Sequence, residues 1–252
     1  MVASLNDEQL LRYSRHIVLD GFDTVGQERL LKAHVLIVGM GGLGSPIATY
    51  LASAGIGRLT ICDFDTVDLS NLQRQIIHRE SRLGFNKALS AQAEISAINA
   101  DCIVHAITER ADINRLDSLI DGVDVVVDAS DNFETRHAIN WACVRFSKPL
   151  VSGTAINYIG QITVFDLRDS KSPCYACFVP EDTSSGEDNC NTSGVLASLT
   201  GTIGSMQASE VLNLLVHGRS RLVGRALLYD ALDSEWSHYP IIKQTDCSVC
   251  GV

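Results

Sequence analysis

The chain has 252 residues and a formal net charge of −10, with 46% hydrophobic and 20% charged residues. This length allows one sizeable core, and the composition is that of a globular protein. The negative charge argues against nucleic-acid binding, which needs a basic surface. No apolar run is long enough to cross a membrane, and the polar N-terminus lacks the apolar core of a signal peptide. We therefore predict a cytoplasmic protein with neither nucleic acid nor membrane as a partner.

The hydrophobic pattern changes from helical to strand-like at residue 34. Two helices are predicted before it, over 7–19 and 24–33, with Asn6 or Asp7 as the first cap. Strands then alternate with helices: the strands cover 34–38, 58–62, 102–107, 123–128 and 149–152, and the helices cover 43–54, 86–98, 112–120 and 133–146. This alternation predicts an α/β fold with a Rossmann-like, doubly wound, mostly parallel sheet that binds ligands at the carboxyl ends of its strands.

The pattern changes again after residue 153. The sequence predicts an antiparallel strand over 159–167, a polar segment without periodicity over 168–193, a long amphipathic helix over 194–217, and closing antiparallel strands over 224–230 and 235–242. Polar segments of this length inside a compact protein are usually functional or disordered. We predict a single domain that comprises N-terminal helices (1–33), a nucleotide-binding half (34–153) and a second half (154–252).

A glycine cluster follows the first predicted strand, in the sequence HVLIVGMGGLG at 34–44. Its glycines are Gly39, Gly41, Gly42 and Gly44. They permit a tight turn into a helix whose N-terminus attracts phosphate, and Asp63 ends the next strand, where an acid reaches a ribose hydroxyl. NLQRQ at 71–75 and Lys87 add cations and amides beyond that acid, which indicates a triphosphate rather than NAD. Met40 and Leu43 are expected to pack, and Asp65 and Asp68 to be loop acids or caps.

The eight cysteines fall into three groups. Two CxxC pairs predict a tetrathiolate structural zinc site that clips the polar segment to the C-terminal tail; they are Cys174, Cys177, Cys247 and Cys250. A redox dithiol is the alternative, but it needs one CxxC at a helix start. Buried core positions are predicted for Cys62, Cys102 and Cys143. Cys190 precedes a predicted helix, where the pKa of a thiol can be lowered, so we expect it to be reactive.

Two charged positions remain open from the residues alone. Asp131 follows the apolar strand VDVVVDAS, close to the glycine loop, and suits either a magnesium ligand or a helix N-cap. Arg12 and Arg15 lie on a predicted N-terminal helix. Their position by itself places them on a solvated face.

Together these motifs resemble the ThiF-type family of adenylyltransferases that activate ubiquitin-like sulfur carriers, over essentially the whole chain. The resemblance is carried by RYSRHI at 12–17, GMGGLGS at 39–45, DFDTVDLSNLQRQ at 63–75, NKA at 86–88, SDN at 130–132, GQITVF at 160–165, both CxxC pairs and the segment around Cys190. It implies the use of ATP, Mg²⁺ and Zn²⁺. It also implies adenylation of a carrier's C-terminal Gly-Gly carboxylate, which yields an acyl-adenylate and pyrophosphate. Pro46 departs from the pattern, but first-turn amides lack helical partners and tolerate proline.

The resemblance also implies roles for single residues. Contacts to the nucleotide are implied for Asp63, Asn71, Arg74 and Lys87. It makes Asp131 the magnesium ligand and links Cys190 to persulfide or thioester chemistry after adenylation. Arg15 is implied to act in the neighbouring subunit's site of a homodimer, which replaces its interpretation as part of a solvated face.

The implied partners are the carrier, a sulfur donor protein and a second copy of the chain. Sulfur is expected to come from another protein, because no rhodanese-like extension follows Gly251. RYSRHIVLDGFDTVGQE and the loop lengths favour a carrier of molybdenum cofactor biosynthesis, with the thiamine-pathway carrier as the alternative. An NAD-dependent oxidoreductase is a remote alternative that NLQRQ and Lys87 argue against. The third hypothesis is a catalytically silent binding module that zinc stabilises. Arg15, Arg74, Lys87 and Asp131 are all present, which argues against it.

Overall fold

The structure is a computed structural model that describes residues 5–181 and 194–251. Within these ranges the helices are α1 (Asp7–Arg12), α2 (Ser14–Ile17), α3 (Asp23–Lys32), α4 (Gly44–Ala54), α5 (Lys87–Ile98), α6 (Ile113–Leu119), α7 (Phe133–Arg145), α8 (Tyr175–Phe178) and α9 (Ala197–His217). The strands are β1 (His34–Val38), β2 (Arg58–Cys62), β3 (Ile103–Ile107), β4 (Val125–Asp128), β5 (Pro149–Ile156), β6 (Ile159–Asp166), β7 (Arg225–Asp230) and β8 (Glu235–Pro240). Short 3₁₀ turns occupy Leu69–Asn71 and Glu80–Arg82.

The strands form one eight-stranded sheet in the order β3-β2-β1-β4-β5-β6-β7-β8. The strands from β3 to β5 are parallel, and β6, β7 and β8 continue the sheet in antiparallel pairing. This arrangement confirms the predicted α/β, mostly parallel sheet with antiparallel C-terminal strands. Strand order reverses between β1 and β4, so a crevice is expected at the carboxyl ends of these two strands.

Helices cover both faces of the parallel half. Along β1, Val35 and Ile37 belong to one hydrophobic cluster, while Leu36 and Val38 belong to another. The first cluster includes side chains of α4, α5 and α9, and the second includes side chains of α6 and α7. Successive side chains of a strand point to opposite faces, so both faces of β1 are buried. No helix in the described ranges is long and apolar enough to cross a membrane.

The helix predicted over 7–19 is wrong, because Tyr13 interrupts it. α1 ends at Arg12, and α2 is a separate helix of four residues. The Tyr13 side chain is buried, and its hydroxyl accepts a hydrogen bond from the Asn99 side chain (3.0 Å). Its ring packs over Gly55, where an added Cβ would lie 2.6 Å from the ring carbon Cζ. Tertiary packing of this ring therefore overrides the local helical pattern.

Most other element ends lie within two residues of the prediction, but three further differences are larger. β5 runs to Ile156 rather than 152, because its antiparallel pairing with β6 extends over the full length of both strands. The segment predicted to lack structure from 168 contains α8, which follows Cys174. α9 begins at Ala197 rather than 194. Before it, the Gly194 carbonyl accepts from the Asn157 N–H and Val195 bridges to Asn157, so the chain is extended there.

Candidate active site

A cleft of 310 Å³ opens at the carboxyl ends of β1, β2 and β4, where the strand order reverses. Among the residues predicted to bind the nucleotide, those that line it are Gly39, Gly41, Gly42, Asp63, Asn71, Arg74, Lys87 and Asp131. Gly44 does not line the cleft; it lies at the start of α4. The fold thus brings together side chains that are up to 92 residues apart (131 minus 39).

The glycine loop is tightly enclosed. Gly39 has φ +99°, and an added Cβ would lie 2.5 Å from the Ala129 carbonyl oxygen. A Cβ on Gly44 would collide with the Gly39 carbonyl oxygen, so both positions require glycine. The backbone N–H groups of Gly41, Gly42 and Leu43 have no acceptor among the described residues, and they lie at the N-terminus of α4. Such free amides, together with the helix dipole, form an anion-binding site.

Asp63 joins the glycine loop to the end of β2. Its carboxylate accepts from the Met40 N–H (2.7 Å) and from the Asp65 N–H (2.9 Å). Burial raises the pKa of Asp63, while the charge of Lys87 and the two N–H donors act in the opposite direction. Besides the ribose contact that the sequence implies, this carboxylate therefore has a second task, which is to hold the Met40 peptide in place.

Two cations also line the cleft. The Lys87 ammonium is 3.0 Å from the Asp65 carboxylate, and the lysine is 7% exposed, so its charge is directed into the cleft rather than to bulk water. Arg74 is half-buried and donates to the Ser70 carbonyl (3.2 Å), and it pairs with no acid in the described part of the chain. The Asp68 carboxylate accepts from the Ser70 N–H (2.8 Å), so Asp68 is a cap as predicted, and the Asn71 side chain in turn accepts from the Asp68 N–H.

Asp131 is exposed at the carboxyl end of β4. The N-cap of α7 is Asn132, whose side chain accepts from the Thr135 N–H (2.9 Å), so the alternative interpretation of Asp131 as an N-cap is wrong. The Asp131 carboxylate contacts only the Asn132 amide, at 3.4 Å, among the residues described. It is therefore available to a ligand in the cleft.

A buried ion pair that the sequence did not predict lies directly behind Asp131. Arg136 donates to the Asp128 carboxylate (2.9 Å), to the Gly153 carbonyl (3.0 Å) and to the Ser130 carbonyl. Asp128 also accepts from the Ser130 N–H and hydroxyl and from the Ser152 hydroxyl. Removing either charge would leave the other buried without a partner, at a cost of about 3–5 kcal/mol. The pair fixes the peptide that precedes Asp131. Its only signal in the sequence is an acid at the end of the apolar strand VDVVVDAS and an arginine in the helix predicted after it.

The four cysteines of the two CxxC pairs meet in space. All their sulfur atoms lie within 4.8 Å of one another; Cys174 and Cys247 are 3.8 Å apart, and Cys177 and Cys250 are 3.5 Å apart. Tetrahedral zinc with Zn–S bonds of about 2.3 Å requires sulfur separations near 3.8 Å. Four thiolates leave no open coordination position, so the donor set fits a structural rather than a catalytic metal. The site joins α8 to the C-terminal tail.

Zinc removal should affect stability before chemistry. We expect one zinc per chain, and chelation should lower the melting temperature by roughly 10 °C, since each kcal/mol is worth about 2–4 °C in a chain of this size. No ligand cysteine lines the cleft, so activity should fall only as the protein unfolds. Cys247→Ser should lose zinc, whereas Cys102→Ala, at a buried core position, should keep it. Metal analysis that finds fresh protein zinc-free would contradict the site.

The other described cysteines are core residues, as predicted. Cys62, Cys102 and Cys143 are buried, and burial raises the pKa of Cys62 and Cys102 to about 12. Their thiols are therefore unreactive at neutral pH. Cys190 lies outside the described residues.

Arg15 does not line the cleft of its own chain. It is exposed on α2, while its neighbour Arg12 donates to the Ile98 carbonyl (3.3 Å) and so anchors the N-terminal helices. Of the described residues predicted to bind the nucleotide or act on it, a single copy of the chain thus brings all to the cleft except Arg15 and Gly44.

Curated proteins of similar sequence extend over the whole chain. The molybdopterin-synthase adenylyltransferase of Salmonella typhimurium is 42% identical and is matched over 99% of this chain and 100% of its own length. The SAMP-activating enzyme E1 of Haloferax volcanii is 44% identical, over 100% and 92%. The adenylyltransferase and sulfurtransferase MOCS3 of Anopheles gambiae is 40% identical, but the chain spans only 57% of it.

Solved structures and a family comparison agree with this result. Escherichia coli MccB with ATP superposes with a TM-score of 0.84 at 23% identity, over 98% of this chain and 75% of that one. PaaA gives a TM-score of 0.81 at 24% identity, over 96% and 76%. These likenesses show the fold. The sequence also matches the ThiF family over residues 13–249. With its glycine loop, its cations and its four cysteines in place, the chain belongs to the ThiF family.

Proposed function

We propose that the protein is an ATP-dependent adenylyltransferase that activates the C-terminal glycine of a ubiquitin-like sulfur carrier. The observation that carries this proposal is the content of the cleft. One space is surrounded by glycine-loop amides that have no acceptor in the described part of the chain, by the cations Arg74 and Lys87, and by the exposed carboxylate of Asp131. This combination fits a metal-bound triphosphate. The adenylyltransferase names of the Salmonella and Anopheles relatives support the same reaction class.

The reaction requires charge neutralisation rather than proton transfer. A carboxylate oxygen of the carrier attacks the α-phosphorus of ATP, the bond from that phosphorus to the pyrophosphate oxygen breaks, and acyl-adenylate and pyrophosphate result. The attacking group is already ionised at neutral pH, so no general base is needed. Arg74, Lys87 and the amides at the start of α4 offset the repulsion between the two anions and the charge on the departing pyrophosphate. Bound at Asp131, Mg²⁺ would neutralise phosphate oxygens.

A protein substrate is supported by the outer sheet. Every residue of β8 is exposed, and Trp236 stacks on Tyr229 of β7 with ring centroids 4.4 Å apart. Leu232 and Tyr239 add exposed apolar area to the same hairpin. Exposed edge strands and aromatic clusters are typical of protein-binding surfaces. We assign this hairpin to the carrier, and we propose that the second half of the chain (154–252) is the carrier-binding and zinc-binding half.

The proposal also covers the pathway and the steps that follow adenylation. We place the protein in molybdenum cofactor biosynthesis, with the thiamine-pathway carrier as the alternative, because the Salmonella relative is matched over its full length. A second protein supplies the sulfur, and Cys190 takes part after adenylation, in the transfer step. The protein acts in the cytoplasm as a homodimer.

Carrier-dependent ATP–pyrophosphate exchange tests the proposal. Purified carriers with intact Gly-Gly tails, from the molybdopterin and thiamine pathways, should each be assayed beside a carrier that lacks the last glycine. Exchange should require the intact tail, and kcat/KM should be highest with the molybdopterin carrier. A higher value with the thiamine carrier would change the pathway but not the reaction. Absence of exchange with every intact carrier, or hydride transfer with NAD, would refute the proposed function.

A further inference from the structure

A buried histidine lies beneath the glycine loop and has no part in the mechanism above. His78 is 4% exposed and ends the turn that carries Arg74 and Gln75, with its own N–H donating to the Gln75 carbonyl (3.0 Å). Its ring reaches two other elements. Nε2 is 2.9 Å from the Met40 carbonyl oxygen, and Nδ1 is 3.0 Å from the Ser90 hydroxyl of α5. One imidazole therefore connects three parts of the cleft.

The hydrogen bonds determine the state of this ring. A carbonyl oxygen can only accept, so Nε2 carries the proton, and the Nδ1 of a neutral ring accepts from the Ser90 hydroxyl. Burial lowers the pKa of His78, and the charges of Lys87 and Arg82 act in the same direction, against the Met40 carbonyl and Glu94. The ring is therefore a neutral donor with a fixed tautomer at physiological pH.

Met40 is the residue that this donor restrains. Its N–H is bound by the Asp63 carboxylate and its carbonyl by His78, so side chains from two different elements hold both of its polar backbone groups. The Ser45 N–H donates to the Gly41 carbonyl, and had the helix begun one residue earlier, the Gly44 N–H would donate to the Met40 carbonyl. With that carbonyl bonded to His78, the helix begins at Gly44, and the preceding amides of Gly41 and Gly42 have no intrachain acceptor among the described residues.

We propose that His78 is a positioning residue for the phosphates of the nucleotide, because it holds the Met40 peptide in the orientation that leaves the glycine-loop amides free. This inference rests on the proposed function, since it assumes a phosphate ligand in the cleft. The ring does not line the cleft and acts through the loop. It also keeps that loop in register with Lys87, because Ser90 lies one helical turn beyond the lysine on α5.

ATP and adenosine binding to the full chain, measured by calorimetry, separates positioning from a general structural role. His78→Asn cannot reach the Met40 carbonyl, so we expect its Kd for ATP to rise about tenfold. Its Kd for adenosine, which has no phosphate, should stay within about twofold of wild type. His78→Gln places an amide N–H near the former Nε2 position and should restore ATP affinity. Ser90→Ala removes the hydroxyl that holds Nδ1, so the ring is oriented only by its bond to the Met40 carbonyl, and ATP binding should weaken by about twofold.

His137→Asn is the matched control. His137 is also buried, and its ring nitrogens have no hydrogen-bond partner among the residues that the structure describes. This variant should therefore lower the melting temperature without changing the ratio of ATP to adenosine affinity. Wild-type ATP affinity in His78→Asn, or an equal loss for adenosine, would overturn the positioning role. Should His78→Asn not fold, an unchanged ATP affinity in Ser90→Ala together with weak binding in His78→Gln would do the same. If wild-type protein fails to bind ATP, the proposed function itself fails.

Discussion

Replacing Asp131 with alanine should lower carrier-dependent ATP–pyrophosphate exchange by at least about a hundredfold, the size of effect seen when one transition-state contact is removed. The carboxylate is exposed, lines the cleft and makes only a 3.4 Å contact to Asn132 within the described structure. Its loss should therefore leave the melting temperature near that of wild type. The expected defect is in metal-assisted charge neutralisation, so raising the Mg²⁺ concentration should restore little activity.

Two further variants sharpen this test. Asp131→Asn keeps the size of the side chain but removes its charge, and it should be nearly as inactive as the alanine variant. Asp121→Ala removes an exposed acid from the turn before β4, away from the cleft, and should keep full activity. Exchange at the wild-type rate in a folded Asp131→Ala protein would remove this residue from the mechanism.

Arg15→Ala should be equally inactive, although Arg15 lies outside the cleft of its own chain. We propose that it supplies positive charge to the partner's site across a two-fold interface, as the family resemblance implies. Leu11 and Val18, on either side of it in the sequence, are 78% and 74% exposed. Apolar side chains so exposed around a short helix are consistent with a surface that a second copy covers.

Mixing the two inactive variants tests this arrangement. In a heterodimer of Arg15→Ala and Asp131→Ala chains, one site keeps its own Asp131 and receives Arg15 from the partner, while the other site lacks both. After complete subunit exchange half of the dimers are mixed, so about a quarter of wild-type activity should return. An active monomer on sizing, or no recovery after proven exchange, would show that Arg15 acts within its own chain or has no role.

The parallel half of the fold could be predicted because its signals are local. β1 is a short apolar run that leads into glycines. β4 is an apolar run that is buried along its whole length, as is typical of central parallel strands. The break at Tyr13 could not be predicted from local pattern, since it depends on Asn99 and Gly55, which are distant in sequence. The end of β5 similarly depends on its partner β6 rather than on its own residues.

The candidate site was predictable to the same extent. Residues that belong to motifs, such as Asp63 and Lys87, could be identified because they follow the glycine loop at spacings that are typical of nucleotide-binding sites. The Asp128–Arg136 pair and the His78 contact to Met40 could not, because each depends on which helix packs behind which strand end. Asn132 rather than Asp131 caps α7, a difference of one residue that only the backbone geometry decides.

The sulfur cluster also has a consequence for the unfolded chain. Cys174 and Cys247 are 73 residues apart, so a metal that bridges them closes a large loop. By chain-entropy arguments, such a closure disfavours the unfolded ensemble by about 4 kcal/mol. The loop contains α9, β7 and β8 but none of the strands β1 to β4. The metal therefore stabilises mainly the antiparallel half, whose outer hairpin is exposed. The parallel half is stabilised instead by the burial of both faces of its sheet.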